Sequence, residues 1–187
     1  MRDSLRRLLQ DHPPSDATEA EHQRRMLELV DIDASPFARH HFDPGHFTAS
    51  AFVLSPDSTK LLLILHGKLG LWLQPGGHID PDDDDVHAAA RREVAEETGI
   101  SKLAAVSLGG SLLLDLDIHP IPPNPKKGEP KHEHFDVRIL LRAHDWEFAA
   151  GSDAADARWV ALEEVEDSGT DDSVLRAVRR IRRELTP

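Results

Sequence analysis

The sequence predicts a mixed α/β/α sandwich. Short apolar strands are spread along the chain, an alanine-rich helix lies among them, and a charged amphipathic helix closes it. At 187 residues the chain suits one domain with one core. Residues 4–10 and 17–29 read as helices parted at Pro13-Pro14, and residues 31–44, rich in Pro, Asp and His, read as a loop. Residues 47–54 and 60–65 alternate or run apolar, with Pro56-Asp57-Ser58 as a hairpin turn between them. A helix is expected over residues 85–98. Asp84 or Asp85 is placed to cap it, Ala88, Ala89 and Ala90 favour it, and Gly99 stands just past its end. Strands follow at 103–108 and 111–118, then a loop at 121–130 with four prolines and a glycine. Residues 134–142 read as a strong strand, 158–160 as a short one, and 173–184 as the last helix. The division expected is a helical extension over 1–40 and a main domain over 41–187. The extension is open to two roles, covering the sheet or making a homodimer contact.

Composition excludes several classes. The chain has no cysteine, so disulfides and thiol catalysis are ruled out. No window approaches the ~18 apolar residues of a membrane span, and residues 5–10 are amphipathic where a signal peptide would be apolar. The expected location is cytoplasmic, with no membrane partner. A net charge of −12 repels nucleic acid and calls for cations at any site that receives a phosphate. Arg176, Arg179, Arg180, Arg182 and Arg183 alternate with Leu175, Val178 and Ile181, the pattern of an amphipathic surface helix rather than a nucleic-acid patch.

The central helix carries the chemistry. At about 100° per residue, Val86, Ala90 and Val94 form an apolar stripe. Glu97 falls within that stripe, Glu93 lies beside it, and Glu96 sits further round on the same flank. Glutamates on a helix ordinarily form a solvated face, but here an alanine, Ala95, takes the outward side. Carboxylates at this spacing repel one another and, partly buried, need cations. Arg92 offsets part of the charge, and hard divalent ions such as Mg²⁺ or Mn²⁺ match clustered oxygen ligands.

Gly76-Gly77-His78-Ile79-Asp80 precedes this helix, and Arg92, Glu93, Val94, Glu96, Glu97, Gly99 and Ile100 run along and past it. These residues resemble the Nudix hydrolase signature G-x5-E-x7-R-E-U-x-E-E-x-G-U, with Trp72 to Gly76 similar to the family's usual lead-in. The box spans Gly77 to Ile100, and the wider likeness runs over roughly residues 46–165. This chain departs from the signature by one extra residue between Gly77 and Arg92. Asp83 stands at the early glutamate's distance from Gly77 and Asp84 at its distance from Arg92, so both stay candidates.

The resemblance implies a Nudix-like sandwich and Mg²⁺-dependent cleavage of a diphosphate bond in a nucleoside diphosphate linked to another moiety. It implies Glu93, Glu96 and Glu97 as metal ligands, with a backbone carbonyl near Gly76 or Gly77. It gives Glu93 the attacking water and Arg92 the task of fixing a glutamate rotamer. A later acid, Asp153 or Asp156 by position, often completes such sites. The tyrosine of some dinucleoside-polyphosphate members is absent, and Asp115 stands where many ADP-ribose members have proline. Substrate identity therefore stays open. An isomerase of isopentenyl diphosphate type relies, by resemblance, on a cysteine, and a non-catalytic binding module usually loses box glutamates that this chain keeps.

His132, His134, Asp136 and Arg138 alternate along one strand and so share a face, with Phe135, Val137 and Ile139 on the other. Asp117 and His119 form a similar pair, and His40, His41 and His46 flank the first strand. One reading makes His134, Asp136 and Arg138 substrate-binding, with Arg138 gripping phosphate bidentately. The plainer reading is the polar outer face of a half-covered sheet. His132 and His134 make an incomplete zinc set that needs a third ligand from elsewhere.

Overall fold

The computed structural model describes residues 1–32, 35–149 and 154–185. Two helices, α1 (Arg2–Asp11) and α2 (Ala17–Val30), come first. Strands β1 (Gly45–Leu54), β2 (Lys60–His66), β3 (Leu71–Leu73) and β4 (Gly76–His78) precede helix α3 (Val86–Thr98). Strands β5 (Leu103–Ala105), β6 (Asp115–Ile121), β7 (His132–Ala143) and β8 (Ala154–Ala161) lead to the last helix, α4 (Asp172–Leu185).

The eight strands form one mixed sheet. Its centre is the parallel pair β1–β7, in register from Gly45 opposite Glu133 to Leu54 opposite Arg142. The first half of β1 pairs antiparallel with β4 and its end with β2. The first half of β7 pairs antiparallel with β6 and its end with β5. The leading halves of the two central strands thus lie between β4 and β6. The sheet continues beyond β2 through β3 and β8.

Period-two alternation sends the side chains to two layers. Phe47, Ala49, Ala51 and Val53 of β1 and Phe135, Val137, Ile139 and Leu141 of β7 join one core. Leu5 and Leu9 of α1, Met26 and Leu29 of α2, and Val86, Ala90 and Val94 of α3 complete it. On the other face Phe52, Leu54 and Leu140 meet Val174, Ala177, Val178 and Ile181 of α4. The expected sandwich is therefore present, with α1, α2 and α3 on one side and α4 on the other.

The N-terminal helices cover the sheet and share its core. A buried polar knot reinforces the join: His12 contacts Ser111 (2.9 Å) and Glu19 (2.7 Å), and Arg180 of α4 reaches Glu19 at 3.4 Å. Arg180 and Arg176 therefore turn inward rather than lying on the surface face expected for the closing basic run.

Several boundaries differ from expectation. β3 and β4 are three residues each, too short to show a period in sequence. The strand expected from Ser111 starts at Asp115 and runs on to Ile121, since Gly109 and Gly110 at positive φ turn the chain just before it. β5 stops at Ala105, and β8 reaches well beyond residues 158–160.

Candidate active site

Asp85 caps α3, its carboxylate accepting from the Ala88 amide at 2.8 Å, and Gly99 ends it in the left-handed conformation at φ 70°. The helix buries Val86, Ala89, Ala90 and Val94, which swings Glu93 and Glu97 toward β4 and leaves Glu96 exposed.

Gly76-Gly77 is a strand segment, paired with Ser50 and Ala49 of β1. Neither glycine has positive φ, and both are needed for close approach. A Cβ on Gly76 would stand 2.6 Å from Cα of Ser50, and one on Gly77 would stand 2.6 Å from the Glu93 carboxylate. The Gly76 amide also donates to Glu97 at 2.9 Å. Strand and helix thereby hold two of the glutamates at fixed places.

Arg92 organises the rest. It donates to Glu93 (2.9 Å), to both Asp83 oxygens (3.2 and 2.9 Å), and to the His78 carbonyl (2.8 Å), with Glu96 at 3.3 Å. Asp83 is the acid that meets Arg92, whereas Asp84 is exposed. The extra residue is thus taken up in the loop before the helix. Burial pushes the Glu93 carboxyl above its ordinary range despite the Arg92 contact, so this carboxylate is short of compensating positive charge. A groove beside the box is lined by Phe37, Arg39, His78, Ile79, Asp80 and Asp83.

On the sheet face beneath α4, the leading halves of β1, β7 and β6 place polar side chains in register. His46, His134 and His119 form one row. Thr48, Asp136 and Asp117 form the next, and Ser50, Arg138 and Asp115 the third. Asp136 is buried and accepts from Thr48 (3.1 Å), Ser50 (2.7 Å) and Gln74 (3.4 Å). Arg138 is also buried, and each guanidinium nitrogen has a protein partner. Nε meets Asp136 (3.0 Å), Nη1 meets Asp115 (3.0 Å), and Nη2 meets Ser173 (2.9 Å) and Asp117 (3.2 Å). The donors that the expected bidentate phosphate grip of Arg138 would use are engaged within the protein in this structure. Arg176 adds a second cation on Asp115 (2.8 Å) and Asp117 (3.0 Å).

His134 lies among other imidazoles rather than beside Asp136's hydroxyl partners. Burial and the neighbouring histidines push it down to about 2, and burial with Arg39 pushes His78 down to about 4, so both rings are neutral at ordinary pH. Trp72 lies under the Arg158 guanidinium at 3.9 Å. Asp156 is exposed and accepts from the Ala157 amide at 2.8 Å, while Asp153 falls outside the described residues. The structure thus brings Arg92, Glu93, Glu97 and Gly77 together and sets His134, Asp136 and Arg138 on the sheet's other face. Sequence reading missed His78 and Gln74. The alternation of His46, Thr48 and Ser50 in β1 was the available sign of a polar patch there.

Comparison with known proteins bears on the family and the fold. The NUDIX domain family profile matches residues 44–180. A probable DHNTP pyrophosphohydrolase of Lactococcus lactis is 33% identical over 131 residues, covering 68% of this chain and 74% of that protein. A putative 8-oxo-dGTP diphosphatase of Bacillus subtilis is 28% identical over 116 residues, covering 62% and 67%. A MutT protein structure from Methanosarcina mazei superposes with TM-score 0.55 at 19% identity, covering 75% of this chain and 95% of that one. Fold, box and relatives define one class: the chain belongs to the Nudix hydrolase family. No helix among the described residues is long and apolar enough to cross a membrane.

Proposed function

We propose that this Nudix hydrolase cleaves a phosphoanhydride bond in a nucleotide-like triphosphate or diphosphate, with Mg²⁺ as cofactor and Mn²⁺ as a substitute. The observation that carries the reading is the Glu93 carboxylate pressed against Gly77 and held there by Arg92. The donor set fits the ion. Glu93, Glu96, Glu97 and the Gly77 carbonyl offer only hard oxygens, and the buried Glu93 charge is under-compensated by protein cations. When bound, Mg²⁺ neutralises charge on the phosphates and on the departing group.

The chain's own residues do the rest. Glu93 orients a water and accepts its proton as the water oxygen attacks phosphorus and the anhydride oxygen leaves with the bonding pair. Arg92, fixed by Asp83 and the His78 carbonyl, locks the Glu93 rotamer. The Gly76 amide holds Glu97 in place. Both relatives are named for triphosphate substrates, DHNTP and 8-oxo-dGTP, which supports a nucleotide-like triphosphate here.

The test is phosphate and pyrophosphate release across dihydroneopterin triphosphate, nucleoside triphosphates and nucleotide sugars, first with Mg²⁺ and then with Mn²⁺. Turnover is expected to require the ion and to fall by roughly 10²-fold or more in Glu93→Gln. Unchanged turnover in that variant would show that Glu93 is not the base.

A further inference from the structure

We infer that His46, His78 and His134 form a second metal site, one that takes Zn²⁺ and is separate from the glutamates of α3. The three come from different strands. His46 and His134 are register partners on β1 and β7, and His78 sits on β4 against the other edge of β1. One ring nitrogen from each lies within 4.8 Å of the others. Their ring centroids are separated by 5.1 Å (His46–His78), 4.8 Å (His46–His134) and 5.3 Å (His78–His134). Three imidazoles around a tetrahedral ion with Zn–N near 2.1 Å place their centroids about 5 Å apart, the spacing found here.

A second observation points to a ligand. His46 is 1% exposed, and its Nε2 is buried without a hydrogen-bond partner among the described residues. Its Nδ1 contacts the His41 carbonyl at 3.1 Å. That contact puts the proton on Nδ1 and leaves a bare lone pair on Nε2, as in metal-ligating histidines oriented by a backbone carbonyl. No hydrogen bond holds the His78 or His134 ring among the described residues. Both make ring contacts instead. A buried lone pair with no donor is costly, and a cation resolves it.

The donor chemistry separates the two centres. Imidazole nitrogens favour zinc and other late transition ions, whereas the all-oxygen set on α3 favours Mg²⁺ and Mn²⁺. Three protein ligands leave a fourth position for water or a substrate atom. The site also adjoins the hydrolytic centre, because the His78 carbonyl receives Arg92 while its ring joins the cluster.

The experiment uses the full chain, stripped with chelator and then titrated with Co²⁺ and with Zn²⁺ in excess Mg²⁺. One equivalent of Co²⁺ is expected to give visible ligand-field absorption with nitrogen ligands, displaced by Zn²⁺. The signal should persist in Glu97→Gln and in the exposed control His144→Ala. It should weaken by at least about 100-fold in affinity in His134→Ala and in His78→Phe, the latter at a half-buried position. Zinc binding at the histidines requires nothing of the hydrolytic reaction, so the two can fail separately. A signal that is lost in Glu97→Gln and kept in both histidine variants would overturn the histidine site, as would the absence of any tightly held Zn²⁺ in excess Mg²⁺.

Discussion

Gly76 and Gly77 are neighbours with different tasks. At Gly77 the nearest atoms a methyl group would meet are those of the Glu93 carboxylate, a side-chain end rather than backbone. Gly77→Ala is therefore expected to keep the fold and to cut turnover by about 10-fold or more as the carboxylate is pushed from its place. At Gly76 the methyl would meet backbone, Cα of Ser50 at 2.6 Å and the Ala49 carbonyl at 2.9 Å. Gly76→Ala is expected to destabilise the protein by about 1–3 kcal/mol, the usual range for overpacking. Thermal denaturation beside a turnover assay separates the two. Equal loss of stability in both variants would contradict the distinction.

At the scale of elements, Arg138 joins three of them. From β7 it pairs with Asp115 and Asp117 of β6 and with Ser173 of α4. Removing it would leave three buried aspartates, Asp115, Asp117 and Asp136, with one fewer cation. Arg138→Ala is expected to cost about 3–5 kcal/mol in urea denaturation, as when one partner of a buried ion pair is deleted. A change below about 1 kcal/mol would show that Arg176 alone satisfies the cluster. Sequence alternation correctly placed Arg138 on a polar face. It could not show that the face is roofed by α4, because that depends on how residues 35 positions apart meet.

At the scale of the molecule, the N-terminal helices are fastened to the body through His12, Glu19 and Arg180. Burial alone would raise the Glu19 carboxyl, but bonds from His12 and the Ser15 amide outweigh it and draw it down from 4.5 to about 2. A depressed carboxyl stabilises the fold above its unfolded value and loses that contribution as pH falls through the folded one. Stability is thus expected to decline from about pH 4.5 toward 2 as Glu19 protonates, and Glu19→Gln to show a shallower acid limb. Denaturation midpoints measured across that range check the point. Identical acid limbs would show that other carboxylates control it.

Local sequence is enough to specify the helix that carries Glu93, Glu96 and Glu97. Local rules suffice to cap it, to orient Val86, Ala90 and Val94 inward, and to bring Glu93 and Glu97 to one flank. It also determined the layered fold, since strand and helix periods are local properties. Which acid meets Arg92 follows from the folded loop alone, because Asp83 and Asp84 each match one of the two spacings and differ in where the loop places them. The three-dimensional fold likewise gathers His46 and His78 around His134, a group that leaves out His132 of the same strand. Register between distant strands sets His46 beside His134, and β4 brings in His78. Strand pairing over long sequence separations is fixed by the global packing of two sheet faces, and no window of the chain contains that information.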